Sequence, residues 1–451
     1  MNRSVNGSGQ VLTVNCWHDS NKGDSAITIG LLNSLSANQV GNHFAVASYA
    51  AYSKDSEWQY AFRHVLSEHP QTELVPTSLP ALVSSVGQKA AAFLALRAFA
   101  KLLLPGLLPD FPLEAAVRKS CAVISTGGLY FGFVRSNLAD LVYHLFSFSY
   151  PLLFARRLGV PYFLYAQSFG PFHGAISRWW MRWLVANSAA TWPRESYSQQ
   201  TLLDMGAPIN KMSVVADAAF GIDPVEGRKQ LALSRYRLTP FSYVAISLRG
   251  LDAAGHSRDL EENYRAVFRR AIDWLVRIRQ LPVVLVAHTT GPLAKEDDRI
   301  ISREIWDSLD SSIRERTILV MDDLSPVELA QLYGSASFVV ATRFHAVVLS
   351  LCGGSPVIAI PYFGLKTQGS LRDLGLSDFV IELNSLTLET LQAKCDAVLE
   401  EGEPLRSRIH EVAKERYIAA MGTGKKLKSL ISSSLKGHLE VVRSAEEIGR
   451  S

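Results

Sequence analysis

The sequence predicts an α/β protein of two doubly wound, Rossmann-like domains facing a cleft, and three observations lead there. Short Val/Ile/Leu-rich runs alternate with segments of helical spacing along most of the chain. The runs are continuously apolar, as strands of a parallel sheet covered on both faces must be. The length, 451 residues, accommodates two such sheets.

In the first half, β-like runs fall at Val11–Cys16, His43–Tyr49, Cys121–Ser125, Val160–Ala166 and Met212–Val215, with Asp24–Leu35 as the first helix. In the second half they fall at Tyr243–Leu248, Val283–His288, Thr317–Met321, Phe338–Ala341, Val357–Pro361 and Phe379–Leu383. Helical patterns such as Glu261–Ile278 and Pro326–Tyr333 lie between them. The alternation lapses over Gly221–Phe241, so the expected division is 1–225, 235–402 and a helical tail, 403–451, crossing back to the first domain.

Composition narrows the function. Hydrophobic residues make up 48% and charged residues 20%, ordinary globular values that permit a large core. The net charge of +4 is too small for a dedicated nucleic-acid binder. Cys16, Cys121, Cys352 and Cys395 stand far apart, without the paired spacing of a zinc or redox site, and the first three, in apolar surroundings, read as buried free thiols of a reducing compartment. The polar N-terminus, MNRSVNGSGQ, lacks a signal peptide's apolar run, so the expected location is the cytoplasm. The segment Ala90–Leu108 is nearly all apolar, but Arg97, Lys101 and Pro105 argue against a spanning helix. It reads either as a helix on the inner membrane surface with Arg97 and Lys101 toward headgroups, or as an amphipathic helix packed on the core. Trp179, Trp180 and Trp183 allow the same two readings.

In doubly wound domains, chemistry gathers in the loops after the strands. His18–Ala26, HDSNKGDSA, follows the first strand and opens the first helix. Asn21 and Gly23 suit its turn, and Asp24 either caps the helix or serves as a base. Gly127 and Gly128 allow a close backbone approach to a ligand or a tight turn. Gln167 and Ser168 end another run, and Arg194 either faces the cleft or pairs with Glu195 or another carboxylate. In the second domain, Arg249 and His288 end strands, and Ala341–Pro356 places Arg343 and His345 at a helix N-terminus suited to a phosphate or carboxylate. Lys366 is either a further anion contact or a solvated surface lysine. No metal-ligand cluster, P-loop or GxGxxG appears.

The ordered motifs NKGDSA, TGGL, QSFGP, RES, DAAF, SLR and TRFHAVVLSLCGGSPVIAIPYFGLK resemble those of the polysaccharide pyruvyltransferase family over roughly residues 11–400. The region Tyr52–Ser120 carries none of them. The resemblance implies a GT-B-like fold. It also implies transfer of pyruvate from phosphoenolpyruvate to a sugar during exopolysaccharide or cell-surface polysaccharide synthesis, without a cofactor. The acceptor, lipid-linked or nucleotide-linked, would lie on the first domain.

In that reaction Arg249 and Arg343 are the expected donor contacts, with Arg194 and Lys366 as lesser ones. His345 is the expected acid and Asp24 the base, arriving from opposite domains. Replacing Arg343 with lysine is then expected to reduce turnover without affecting folding. The rival readings are a GT-B-type glycosyltransferase or nucleotide-sugar epimerase, and a non-catalytic partner in a polysaccharide-assembly complex.

Overall fold

Most of the apolar runs that alternate with helices become parallel strands. A computed structural model describes residues 9–48, 58–77, 88–132, 144–223, 231–251, 255–364 and 366–448. Residues 1–8, Tyr49, residues 224–230 of the expected boundary, and Leu365 lie outside the described residues. Packing divides the chain into two units. One comprises Met1–His18, Ile27–Ala218 and Ala419–Ser451, the other Asp19–Ala26 and Ala219–Ile418.

The first unit holds a seven-stranded parallel sheet: β1 (Gln10–Cys16), β2 (His43–Ser48), β3 (Glu73–Pro76), β4 (Ser120–Ser125), β5 (Gly128–Phe131), β6 (Tyr162–Phe169) and β7 (Ala190–Pro193). Its order is β3-β2-β1-β4-β6-β5, with β7 also paired to β6. In the second unit β8 (Val244–Ser247), β9 (Val283–Val286), β10 (Thr317–Val320), β11 (Phe338–Ala341) and β12 (Val357–Ala359) run parallel in the order β10-β9-β8-β11-β12. Both orders reverse beside the unit's first strand, which is the doubly wound, Rossmann-like arrangement.

Two expected strands are absent. Met212 makes a single bridge to Thr191, and Val380 a single bridge to Ala359. Phe379, Ile381 and Leu383 bury their side chains beside the sheet edge without a ladder, the first and last of them within two short 3-10 turns, so the apolar pattern reports burial and not pairing. The short strands β3 and β5 were not expected. Each has four residues, too few to show periodicity, and β3 ends in a proline that suits an edge.

Of the two readings of Ala90–Leu108, packing on the core is found, and the placement of Arg97 and Lys101 toward headgroups is not. The helix Gln88–Leu103 turns its cations inward. Arg97 Nη1 donates to Glu114 Oε1 at 2.7 Å, Lys101 Nζ pairs with Asp110 at 2.8 Å, and Glu114 and Lys101 are buried. Ala98 joins the core, with Leu94 and Leu102 packed against it, while Phe93, Leu96, Phe99 and Leu103 face solvent. One buried charge pair, Arg97–Glu114, and one at the surface edge, Lys101–Asp110, fix the rotation of the helix against its hydrophobicity. Among the described residues no helix is long and apolar enough to cross a membrane.

In the second unit the helices Pro326–Gly334 and Phe344–Cys352 meet at their C-terminal ends through two glycines. A Cβ on Gly353 would stand 2.5 Å from Gly334 Cα and collide with the Ala330 carbonyl. Gly353→Ala is expected to destabilise the protein by about 1–3 kcal/mol in urea unfolding, as overpacking does. Gly106→Ala, where no atom lies within 4 Å of the new methyl, is expected to be neutral.

Candidate functional site

The first unit engages its motif residues in one another. Gln167 Nε2 donates to Ser125 Oγ and to the Thr126 carbonyl, both at 2.6 Å, and Asn15 Nδ2 also donates to Ser125 Oγ at 2.8 Å. Arg194, side chain buried, donates from Nη1 to Asp217 Oδ2 at 2.7 Å and from Nε to Ser168 Oγ at 2.8 Å, while Ser168 donates to Glu195 at 3.1 Å. These contacts lock QSFGP, RES and DAAF into one buried network. Of the two readings of Arg194, pairing with carboxylates is the one found, and Ser168, expected as a ligand contact, is tied to Glu195. Gln167 likewise holds the β4 and β6 ends together. A Cβ on Gly127 would stand 2.9 Å from the Ala166 carbonyl, and Gly128 has φ +131°, so close packing and backbone conformation account for both glycines.

Four strand ends of the second unit bring the remaining candidates together. β8 leads to Arg249, β9 to His288, β11 to Arg343 and His345, and β12 to Tyr362. β8 and β11 are neighbours and the strand order reverses between them, so Arg249 and Arg343 flank the switch point where doubly wound sheets bind ligands.

The two arginines differ in their partners. Arg343 Nε donates to both Asp298 oxygens at 3.2 and 3.1 Å, and Nη2 donates to Asp298 Oδ1 at 2.6 Å and to the Glu296 carbonyl at 2.7 Å. Burial alone would lower Arg343, but the Asp298 carboxylate more than reverses this and holds the guanidinium above its ordinary range. One edge of the fork is thus committed to a buried carboxylate, and the expectation that lysine at 343 leaves folding unaffected does not stand.

Arg249 is 8% exposed and donates from Nη1 to the Tyr362 hydroxyl at 2.6 Å, with Cζ 4.2 Å from that ring's centroid. Its buried Nε makes no hydrogen bond, and no carboxylate forms an ion pair with it among the described residues. Burial and the charge of Arg343 lower it below the ordinary guanidinium range. This is a desolvated cation whose charge is not paired by a carboxylate among the described residues.

The surroundings sharpen the field. Burial would raise the Tyr362 phenol, but the charges of Lys366, Arg249 and Arg343 outweigh it and bring it below its ordinary value. Lys366 Nζ lies 5.7 Å from the Phe344 ring centroid, at the start of the helix Lys366–Asp373. His288 is 1% exposed, and neither ring nitrogen has a hydrogen-bond partner. Burial, then the charges of Arg343, His345 and Lys22, push it well below the ordinary imidazole range. Buried Tyr264 and Thr342 share a 2.7 Å hydroxyl bond beneath Arg249, whose backbone N–H faces Tyr264.

The loop Asp19–Ala26 belongs to this unit. Thr290 N–H donates to the Ser20 carbonyl at 2.8 Å, and Asn21 bridges Thr289. Asn21 Oδ1 accepts the Gly23 N–H at 3.2 Å, so the asparagine shapes the turn. A Cβ on Gly23 would collide with the His345 ring, so only glycine permits this approach. Asp24, next in the chain, therefore stands in the same unit as His345, and the expectation of opposite domains is overturned.

The sequence reading missed Lys22, Asp298 and Tyr362. Lys22 is fully buried, donates to the Asp19 carbonyl at 2.8 Å and pairs with Asp323. A lysine at a helix start opposes the dipole, a sign that it has a specific partner. Among the described residues no group of three His, Cys, Asp or Glu side chains could hold a metal ion.

Two predictions follow from the buried charges. Asp298→Asn strands the Arg343 guanidinium and is expected to cost about 3–5 kcal/mol of unfolding free energy. His288 is neutral when folded, so from about pH 7 to about pH 5 the unfolded state gains protons that the folded state does not. Stability is therefore present above the unfolded value and falls as the solution is acidified. Urea titrations are expected to show a shallower acid loss in His288→Gln.

A family model described as Polysaccharide pyruvyl transferase matches residues 21–362. The amylovoran biosynthesis protein AmsJ of Erwinia amylovora is 25% identical over 345 residues, covering 74% of this chain and 78% of its own. The fold is shared with a UDP-GlcNAc 2-epimerase of Neisseria meningitidis (TM-score 0.55, 11% identity, 94% of this chain and 100% of that one). A glycosyltransferase of Rickettsia africae is similar to the same degree (TM-score 0.56, 14% identity, 95% and 98%). These likenesses establish the GT-B-like fold.

Proposed function

Because the chain belongs to the polysaccharide pyruvyl transferase family, we propose that it transfers pyruvate from phosphoenolpyruvate to two hydroxyls of a sugar, forming a ketal during polysaccharide synthesis. The observation that carries the donor assignment is Arg249, a buried guanidinium with a free Nε and no carboxylate partner among the described residues. Phosphoenolpyruvate brings a carboxylate and a phosphate, the anions that a guanidinium fork and a nearby ammonium hold best. Arg249 and Lys366 are the proposed contacts. Arg343, already paired with Asp298, adds field and sets the geometry.

The reaction needs a proton at the methylene carbon, which converts it to a methyl group and leaves C2 electrophilic. One sugar hydroxyl then adds to C2, the phosphate leaves, and the second hydroxyl closes the ring. Of the two hydroxyl protons lost, one restores the acid and the other leaves with the phosphate. His345 is the proposed acid, for it stands at a strand end beside the loop that carries Asp24, the proposed base. His288, held neutral, suits a hydrogen bond to the donor and not a proton transfer.

The test is incubation with phosphoenolpyruvate and candidate lipid-linked and nucleotide-linked sugars, following phosphate release and product mass. His345→Gln is expected to lose about a hundredfold or more in turnover, the scale of general acid catalysis. An unchanged rate and pH profile in that variant would remove it as the acid. Release of UDP from a nucleotide sugar, with phosphoenolpyruvate unused, would favour a glycosyltransferase instead.

A further inference from the structure

We propose that the outward face of the helix Gln88–Leu103 docks the first unit on an anionic lipid surface. Phe93, Leu96, Phe99 and Leu103 recur at helical spacing on that face and are 66%, 68%, 54% and 59% exposed. Leu104 and Leu107 extend it past the helix end at 56% and 70%. A run of apolar side chains this exposed is unusual unless something covers it. Arg97 and Lys101 of the helix are paired beneath it with Glu114 and Asp110, so neither of these two charges lies among the exposed apolar side chains.

Charge decides the occupant. Exposed Arg156 and Arg157 end the neighbouring helix Ser147–Arg157, and Arg157 Nε donates to the Leu102 carbonyl at 3.2 Å, which places it on the border of the apolar face. Arg156 lies 5.4 Å from the Trp183 ring on the helix Ala175–Asn187, where Trp179 is 54% exposed. The sequence has no acidic residue from Leu74 to Pro109, or from Leu141 to Arg194. An apolar face bordered by arginine and tryptophan, with no acid in the sequence runs that build it, fits the headgroup and acyl boundary of an anionic bilayer.

The test is co-sedimentation of the full chain with vesicles of phosphatidylcholine and phosphatidylglycerol in a two-to-one ratio, and with phosphatidylcholine alone. Wild type is expected to bind the anionic vesicles, weaken with salt, and bind the neutral ones poorly. Phe93→Ser with Leu96→Ser is expected to lower the partition coefficient about tenfold or more per residue. Arg156→Gln and Arg157→Gln are expected to lower it roughly fivefold each. These side chains are exposed, so thermal melting is expected to be unchanged and loss of binding is not loss of fold. No binding to anionic vesicles, or equal binding to both kinds, would overturn the proposal. So would concentration-dependent self-association that the serine substitutions abolish without any vesicle binding, since a second copy would then cover the face.

Discussion

A buried cation that no carboxylate pairs with among the described residues is the constraint on which the second unit's site depends. Arg249 sits against Tyr362 beside a second guanidinium, and burial, then the charge of Arg343, lower it below the ordinary guanidinium range. Such a group costs desolvation free energy and is tolerated where the surrounding structure holds it. The sheet supplies the hold. Arg249 and Arg343 leave adjacent parallel strands at the switch point, and Asp298 neutralises one of them, so the field is graded and not uniformly repulsive.

The family motifs divide into two kinds of work. In the first unit QSFGP, RES and DAAF tie their polar residues into a buried network around Arg194, Asp217 and Glu195. Burial raises Glu195 above its ordinary carboxyl range, against the pull of Arg194. In the second unit NKGDSA, SLR and the long motif from Thr342 gather cations, a neutral imidazole and a phenol. The loop Asp19–Ala26 belongs with the latter, because Gly23 lets its backbone rest on His345.

The sequence made the parallel sheets legible because strands buried on both faces are apolar throughout, and it made strand-end residues legible because loops follow those runs. It could not show which arginine is spent. Arg343 and Arg249 look equivalent on paper, and only the fold brings Asp298 against the first. Arg194 was weighed between a ligand and a carboxylate for the same reason. The rotation of the helix Gln88–Leu103 was hidden too, since hydropathy alone would bury the face that Glu114 and Asp110 turn outward.

The most direct measurement is calorimetric titration of the protein with phosphoenolpyruvate and, separately, with UDP, in wild type and Arg249→Met. Saturable binding of phosphoenolpyruvate is expected, weakened about tenfold or more by the substitution, the scale of a charge-assisted hydrogen bond. Phosphoenolpyruvate binding that is absent, or as tight in Arg249→Met as in wild type, would contradict the assignment of Arg249 to the donor anion.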